Sequence, residues 1–257
     1  MVRVHVVSDV HARADALAKA GDGADALICL GDLVLFLDYD EPGGGIFAEM
    51  FGEEAARRLI ELRTLRRFDE ARQFSGELWA SLGEGTPRDH IERAIRGQYA
   101  DLFAAMSTPA YVTYGNVDVP HLYDEYVREG ITILDGQTTT IGDRTFGFVG
   151  GGLRTPMRTP YEISDEDYAA KVAAVGTVDV LCAHIPPDVP QLLYDVQARR
   201  LERGSAALLE AIRETQPAVV LFGHVHNPLA RRVRIGKTEC INVGHFRGRG
   251  TPYVLEW

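Results

Sequence analysis

Five short apolar runs in this chain each stop at a polar phrase, and that punctuation constrains the fold more than any other feature. The runs are Val2 to Val7, Ala26 to Leu30, Ala110 to Tyr114, Val178 to Cys182 and Ala218 to Phe222. The phrases that follow them are Asp9-Val-His11, Gly31-Asp32, Gly115-Asn116-Val-Asp118, Ala183-His184 and Gly223-His224-Val-His226. Short, branched, apolar runs are what buried strands require. In an open α/β sheet, ligands bind in the crevice beyond the strands' carboxyl ends, so residues distant in sequence are predicted to share one pocket. Taken singly, each would be a turn aspartate or a surface histidine. Independent turns, however, have no reason to present a metal-binding side chain at the end of every run.

The donor types indicate the chemistry. Carboxylate, amide and imidazole without thiolate suit divalent cations such as Mn, Fe, Zn or Co, and a carboxylate can bridge two of them. Seven donors exceed what one four-coordinate zinc takes. Two ions about 3.5 to 4 Å apart can clamp both sides of an in-line displacement at phosphorus, so the expected reaction is phosphoester hydrolysis.

The ordered set Asp9-x-His11, Gly31-Asp32, Gly115-Asn116, His184 and Gly223-His224-x-His226 resembles the calcineurin-like metallophosphoesterases. Val149-Gly-Gly-Gly152, His184-Ile-Pro-Pro187 with a later Gly204-Ser205, and Ile241-Asn-Val-Gly244 look like its small stand-alone prokaryotic branch. The resemblance implies a metallo-dependent phosphatase fold: an α/β four-layer α-β-β-α sandwich of two stacked mixed sheets. It implies that Asp9, His11, Asp32 and His226 hold one metal and Asp32, Asn116, His184 and His224 a second, with Asp32 as the bridge. Asp32, Asn116 and His184 are then the catalytic set, acting on a water activated between two divalent ions, manganese among the candidates. No side-chain nucleophile is required.

The pattern departs from many relatives at Val117, where they carry a histidine that assists the leaving group or steadies the phosphate; here only the following carboxylate, Asp118, remains. That puts substrate preference in question more than activity. His5, His90, His121 and His245 are read as ordinary histidines, although His121 and His245 are the nearest substitutes for the missing one.

Hairpin signals at Gly142-Asp143 and Gly236-Lys237 join paired runs in the second half and call for a second sheet. A short helix is expected from Ala12 to Ala20. Thr86-Pro87-Arg88-Asp89 reads as a helix start, as do Ser164 and Ser205. Between about 37 and 106 lies a long, mostly helical excursion that leaves the site and returns to it, an insertion in a single domain spanning 1–257. It is either a cap over the site or an elaboration of the outer helical layer, with oligomerisation as a further role. Phe47, Met50 and Phe51, beside Gly43-Gly44-Gly45, are the residues suspected of touching substrate, and Arg247 and Arg249 are candidate phosphate clamps.

The net charge of −10 weakens the case for duplex DNA as substrate, since phosphate neutralisation by Lys and Arg supplies most non-specific affinity. Cys29, Cys182 and Cys240 lie in strand patterns and read as buried reduced thiols. The chain opens directly into a strand, and no apolar stretch approaches the roughly 20 residues of a membrane span, so the expected location is cytoplasmic. The expected partner is a small phosphoester or nucleotide. The alternatives are a nuclease of the same family and a non-catalytic scaffold on this fold, the latter disfavoured by the complete ligand set.

Overall fold

The computed structural model describes residues 1–257. Its first sheet holds β1 (Arg3–Val7), β2 (Ala26–Cys29), β3 (Ala110–Val112) and β4 (Ile131–Ile133), all parallel, with the last strand, β15 (Tyr253–Glu256), antiparallel against β1. In the second sheet β5 (Gln137–Ile141) and β6 (Arg144–Val149) form the first predicted hairpin. Two-residue strands β7 (Gly152–Leu153) and β8 (Glu162–Ile163) pair with each other. β9 (Val180–Ala183) lies parallel to β6. Another small ladder joins β10 (Tyr194–Asp195) and β11 (Arg200–Leu201). Parallel to β9 runs β12 (Val219–Phe222), followed by the second predicted hairpin, β13 (Arg232–Ile235) and β14 (Thr238–Asn242). The order β13-β14-β12-β9-β6-β5 places parallel strands at the centre of the second sheet and antiparallel hairpin strands at both edges.

Side-chain alternation makes the layers. Val4 and Val6 of β1, Ile28 of β2, Phe146 and Phe148 of β6, Val180 of β9 and Leu221 of β12 share one core between the sheets. Residues of opposite parity face outward: Val7, Leu27 and Val112 meet a first helical layer, whereas Leu181, Val220 and Phe222 meet a second. Strands with both faces covered explain the continuous apolar runs. The architecture is the expected four-layer α-β-β-α sandwich.

Helix α1 (Ala14–Ala20) starts two residues later than its pattern predicts, because Ala12 sits at φ 61°, outside helical space. The segment from 37 to 106 folds as α2 (Gly45–Phe51), α3 (Glu53–Thr64), α4 (Phe68–Ala80) and α5 (Pro87–Ala105). Thr86 caps α5 as expected: its hydroxyl accepts from the Asp89 N–H at 3.2 Å and Asp89 accepts from the Thr86 N–H at 2.8 Å. Ser164 and Ser205 likewise cap α6 (Asp165–Val175) and α8 (Ala206–Thr215), which cover the second sheet; α7 (Pro190–Leu193) and α9 (Phe246–Arg249) are single turns.

The apolar stripe of α5 (Ile95, Tyr99, Leu102, Phe103) packs into the core of the first sheet. Phe47 is fully buried there, its ring 5.0 Å from Phe51 and 6.2 Å from Trp79. Its expected contact with substrate is therefore wrong: the glycines beside it begin a helix whose aromatic face turns inward. Three bonds tie the segment to the second half: Gln197 to Asp40 at 3.0 Å, Arg72 to the Pro156 carbonyl at 3.4 Å, and Arg247 to the Asp38 carboxylate. No helix is long and apolar enough to cross a membrane.

Candidate metal centre

The loops after β1, β2, β3, β9 and β12 converge. Ligand atoms of Asp9, His11 and Asp32 lie within 4.8 Å of one another, as do those of Asp32, His184 and His224. Asn116 Oδ1 stands 3.0 Å from His184 Nε2 and 2.9 Å from His224 Nδ1, and His226 Nε2 is 3.4 Å from Asp9 Oδ1. All seven residues singled out in the sequence are thus brought to one place.

The backbone is strained to bring them there. Asp9, His11, Asp32 and His224 all have left-handed φ, at 57°, 43°, 54° and 66°. Each such residue costs on the order of 1 kcal/mol or more, and the concentration of four at one point is what a functional site shows. Gly115 is required by close approach, since a Cβ there would lie 2.0 Å from Asp32 Oδ1.

Hydrogen bonds aim the donors inward. His11 Nδ1 is 2.8 Å from the Val34 carbonyl and His184 Nδ1 is 2.9 Å from the Leu30 carbonyl. A carbonyl only accepts, so Nδ1 carries the proton in both rings and Nε2 presents its lone pair to the centre. For His184 that lone pair faces Asn116 Oδ1 at 3.0 Å and Asp32 Oδ2 at 3.5 Å. Acceptors facing acceptors need positive charge between them, and the donor set fits a divalent ion. Buried Asp9 Oδ1 has no hydrogen-bond partner, as a ligand atom would be left.

When no ion is bound, protons on the histidines take the place of that positive charge. Burial opposes the charge on Asp9, but His226, His184 and His11 together hold its carboxyl well below the ordinary range. Burial likewise works against Asp32, and His184 and His11 outweigh it. Burial pulls His184 down while Asp32 and Asp9 push it up, to about 9. Burial and neighbouring His184 lower His224, so the two rings do not both hold protons readily.

Three residues in and around this site were not anticipated. Asn116 Nδ2 donates to Thr159 Oγ1 at 3.0 Å, and the Thr159 hydroxyl donates to Glu162 at 2.9 Å, which fixes the amide with its oxygen toward the histidines. Nothing in the local sequence marks Thr159, on the loop between β7 and β8, or Glu162, the first residue of β8. Thr159→Val should weaken binding of a divalent ion by roughly 10- to 100-fold, as loss of an orienting partner does. Calorimetric titration with Mn checks this; unchanged affinity means that the amide is oriented by something else.

His245 is the third, and its placement corrects the reading of it as an ordinary histidine. Its ring stacks on His226 at 3.8 Å, lies 5.8 Å from His11, and carries a buried Nε2 with no partner. His5 bonds the Ala20 carbonyl, His121 faces Glu92, and His90 sits in the first turn of α5; none joins the centre. Arg247 reaches the site but is not free to clamp phosphate. Its two terminal nitrogens are held by the His11 carbonyl, at 2.9 Å, and the buried Asp38 carboxylate.

One solved crystal structure aligns with 95% of this chain and 91% of its own at a TM-score of 0.56 and 15% identity, a likeness of fold alone. GAP50, the anchor in the inner membrane complex of Plasmodium, covers 95% of this chain and 71% of its own at 11% identity, and its TM-score of 0.40 carries no argument. Curated proteins return no match. A family model for the calcineurin-like phosphoesterases matches residues 2–228, the span that supplies all seven converging side chains, and the chain belongs to that family.

Proposed function

We propose that this protein is a dinuclear metal-dependent phosphoesterase acting on a small phosphoester or nucleotide, with Asp9, His11, Asp32 and His226 at one metal position and Asp32, Asn116, His184 and His224 at the other. The observation that carries this reading is that Asp32 belongs to both groups of converging donors. A bridging carboxylate is what two ions acting as a pair require. When bound, such ions supply charge that polarises the phosphoryl group and acidifies an attacking water. The chain's own part is orientation. Asp32 sets the two donor groups side by side, Asn116 presents its oxygen between His184 and His224, and the carbonyls of Val34 and Leu30 hold His11 and His184 in the metal-binding tautomer. Residues 37–106 are an insertion in a single domain whose helices pack against the first sheet.

The test is hydrolysis of an activated aryl phosphodiester by the purified protein. Activity should vanish on chelation and return with Mn or a similar divalent ion. Turnover that survives exhaustive chelation rejects the mechanism. A metal-loaded protein inert toward every phosphoester tested identifies a scaffold.

Val117 bears on which ester is preferred. Its N–H donates to Asp32 Oδ1 at 3.0 Å, while its side chain packs against the apolar core of the first sheet. No side chain at this position donates a proton to the leaving group, a contribution typically worth on the order of 10² to 10⁴ in rate. That loss falls hardest on alkyl monoesters, whereas an aryl group departs as an anion. The protein should therefore prefer activated diesters to alkyl monoesters, and Val117→His should shift the kcat/KM ratio toward monoesters. An unchanged ratio with intact metals would place control of the leaving group elsewhere, with His245 first in line.

A further inference from the structure

Over Gly244, one residue before His245, lies an arginine pair with no acid to neutralise it. Arg231 precedes β13 and Arg249 ends α9, yet both guanidiniums pack over Gly244: a Cβ on that glycine would lie 2.7 Å from Arg249 Nη1 and 2.8 Å from Arg231 Nη2. The two nitrogens flank one point and are no more than about 5.5 Å apart. Gly244 also has a φ of 100°, so conformation and space both exclude a side chain there. Neighbouring Arg232 and Arg234 pair with Glu239. Arg231 and Arg249 make no ion pair and no side-chain hydrogen bond. In a chain of net charge −10, two adjacent uncompensated guanidiniums make a local positive site. Burial already pulls Arg231 below its ordinary pKa, with no carboxylate to offset it.

The pair lines a cleft of about 340 Å³, together with Arg232, Asn242, Thr251 and Tyr253. That volume is within the range of small-molecule pockets. Gly244, under the two guanidiniums, directly precedes His245, whose ring stacks on His226, so the arginine pair connects to the metal centre through one residue. Two planar forks approaching from different chain segments suit a tetrahedral phosphate, which offers several oxygen edges; a carboxylate offers one edge, which a single arginine satisfies.

We propose that Arg231 and Arg249 form a subsite for a second, non-reacting phosphate group of the substrate, so that preferred substrates carry one phosphoester for the metal centre and a phosphate monoester for the arginine pair. This rests on the phosphoesterase reading. The probes are the p-nitrophenyl ester of a nucleoside monophosphate and the same ester bearing an additional phosphate on the sugar. Wild-type protein should favour the doubly phosphorylated ester by roughly tenfold or more in kcat/KM, chiefly through KM. In an Arg231→Gln/Arg249→Gln double variant with unchanged metal content, the ratio should fall toward one. Arg249→Lys, which keeps the charge but loses the fork, should fall between.

Calorimetry with the corresponding nucleoside bisphosphate and monophosphate provides a readout independent of turnover. The bisphosphate should bind the wild type more tightly, and the double variant should lose the difference. Equal binding of the two ligands to the wild type, or a preference that the double variant retains, overturns the subsite. Failure to hydrolyse either ester under any divalent ion overturns the phosphoesterase reading, and the binding comparison still decides the arginine pair.

Discussion

Asp32→Ala should lower kcat for an aryl phosphodiester by on the order of 10³ or more. The carboxylate is buried, with Oδ2 3.5 Å from His184 Nε2 and 4.0 Å from His11 Nε2, and it is the donor common to both clusters. Its removal takes away the charge between two positions that depend on it, and Lewis-acid stabilisation at such a site is worth several kcal/mol, each about 1.4 of which is a factor of ten. A confounding effect on folding is separable. Asp32 sits in left-handed backbone, which Asp and Asn tolerate better than Ala, and its Oδ1 accepts from the Val117 N–H at 3.0 Å. Asp32→Asn keeps that conformation and an acceptor while losing the charge, so it should remain well folded and still be nearly inactive. Metal analysis alongside kcat decides the matter. Two tightly held ions and near-normal turnover in Asp32→Ala would show that the bridge is wrongly assigned.

The parts of this molecule that could be read from sequence are those whose causes are local. A strand covered on both faces needs an unbroken apolar run, so β2, β9 and β12 declare themselves, and the polar residue that ends each run declares the pocket. Capping is also local: Thr86, Ser164 and Ser205 each bond a backbone N–H three residues on, within reach of a sequence pattern. What could not be read depends on contacts across the fold. Phe47 lies in a glycine-flanked segment that looks like a loop tip, and only Trp79 and Phe36, brought from elsewhere, make it core. His245 follows an apolar strand as the ligands do, but whether its ring meets His226 depends on the one-turn α9. Thr159 and Glu162 act on Asn116 from a loop and a two-residue strand with no pattern of their own. Arg247 was legible as an arginine near the site; its engagement by Asp38, far back in the chain, was not.

Asp118 is the strongest example of a long-range role hidden in a short motif, and Asp118→Ala should destabilise the fold by about 3 to 5 kcal/mol. The side chain is fully buried and accepts from four backbone N–H groups: Gly115 at 2.7 Å, Asp32 at 2.8 Å, Leu33 at 2.9 Å and Val34 at 3.4 Å. It thereby staples the loop after β2 to the loop after β3, the two that carry Asp32 and Asn116. Burial and the charge of Asp32 push its carboxyl above the ordinary value, while the backbone donors favour the ionised form. Alanine would orphan four buried donors, each costing about 1 to 3 kcal/mol before any water relieves it. Asn keeps one acceptor oxygen but turns an NH₂ toward a backbone N–H, so Asp118→Asn should fall between wild type and alanine. Denaturant unfolding of all three proteins, with metal content matched, gives the ranking. Loss of activity without loss of stability would recast Asp118 as a participant in the chemistry. An alanine variant as stable and as active as wild type would mean that the two loops hold their register without the staple, and the positioning of Asp32 would then have to come from the Gly115 contact and the Val117 N–H alone.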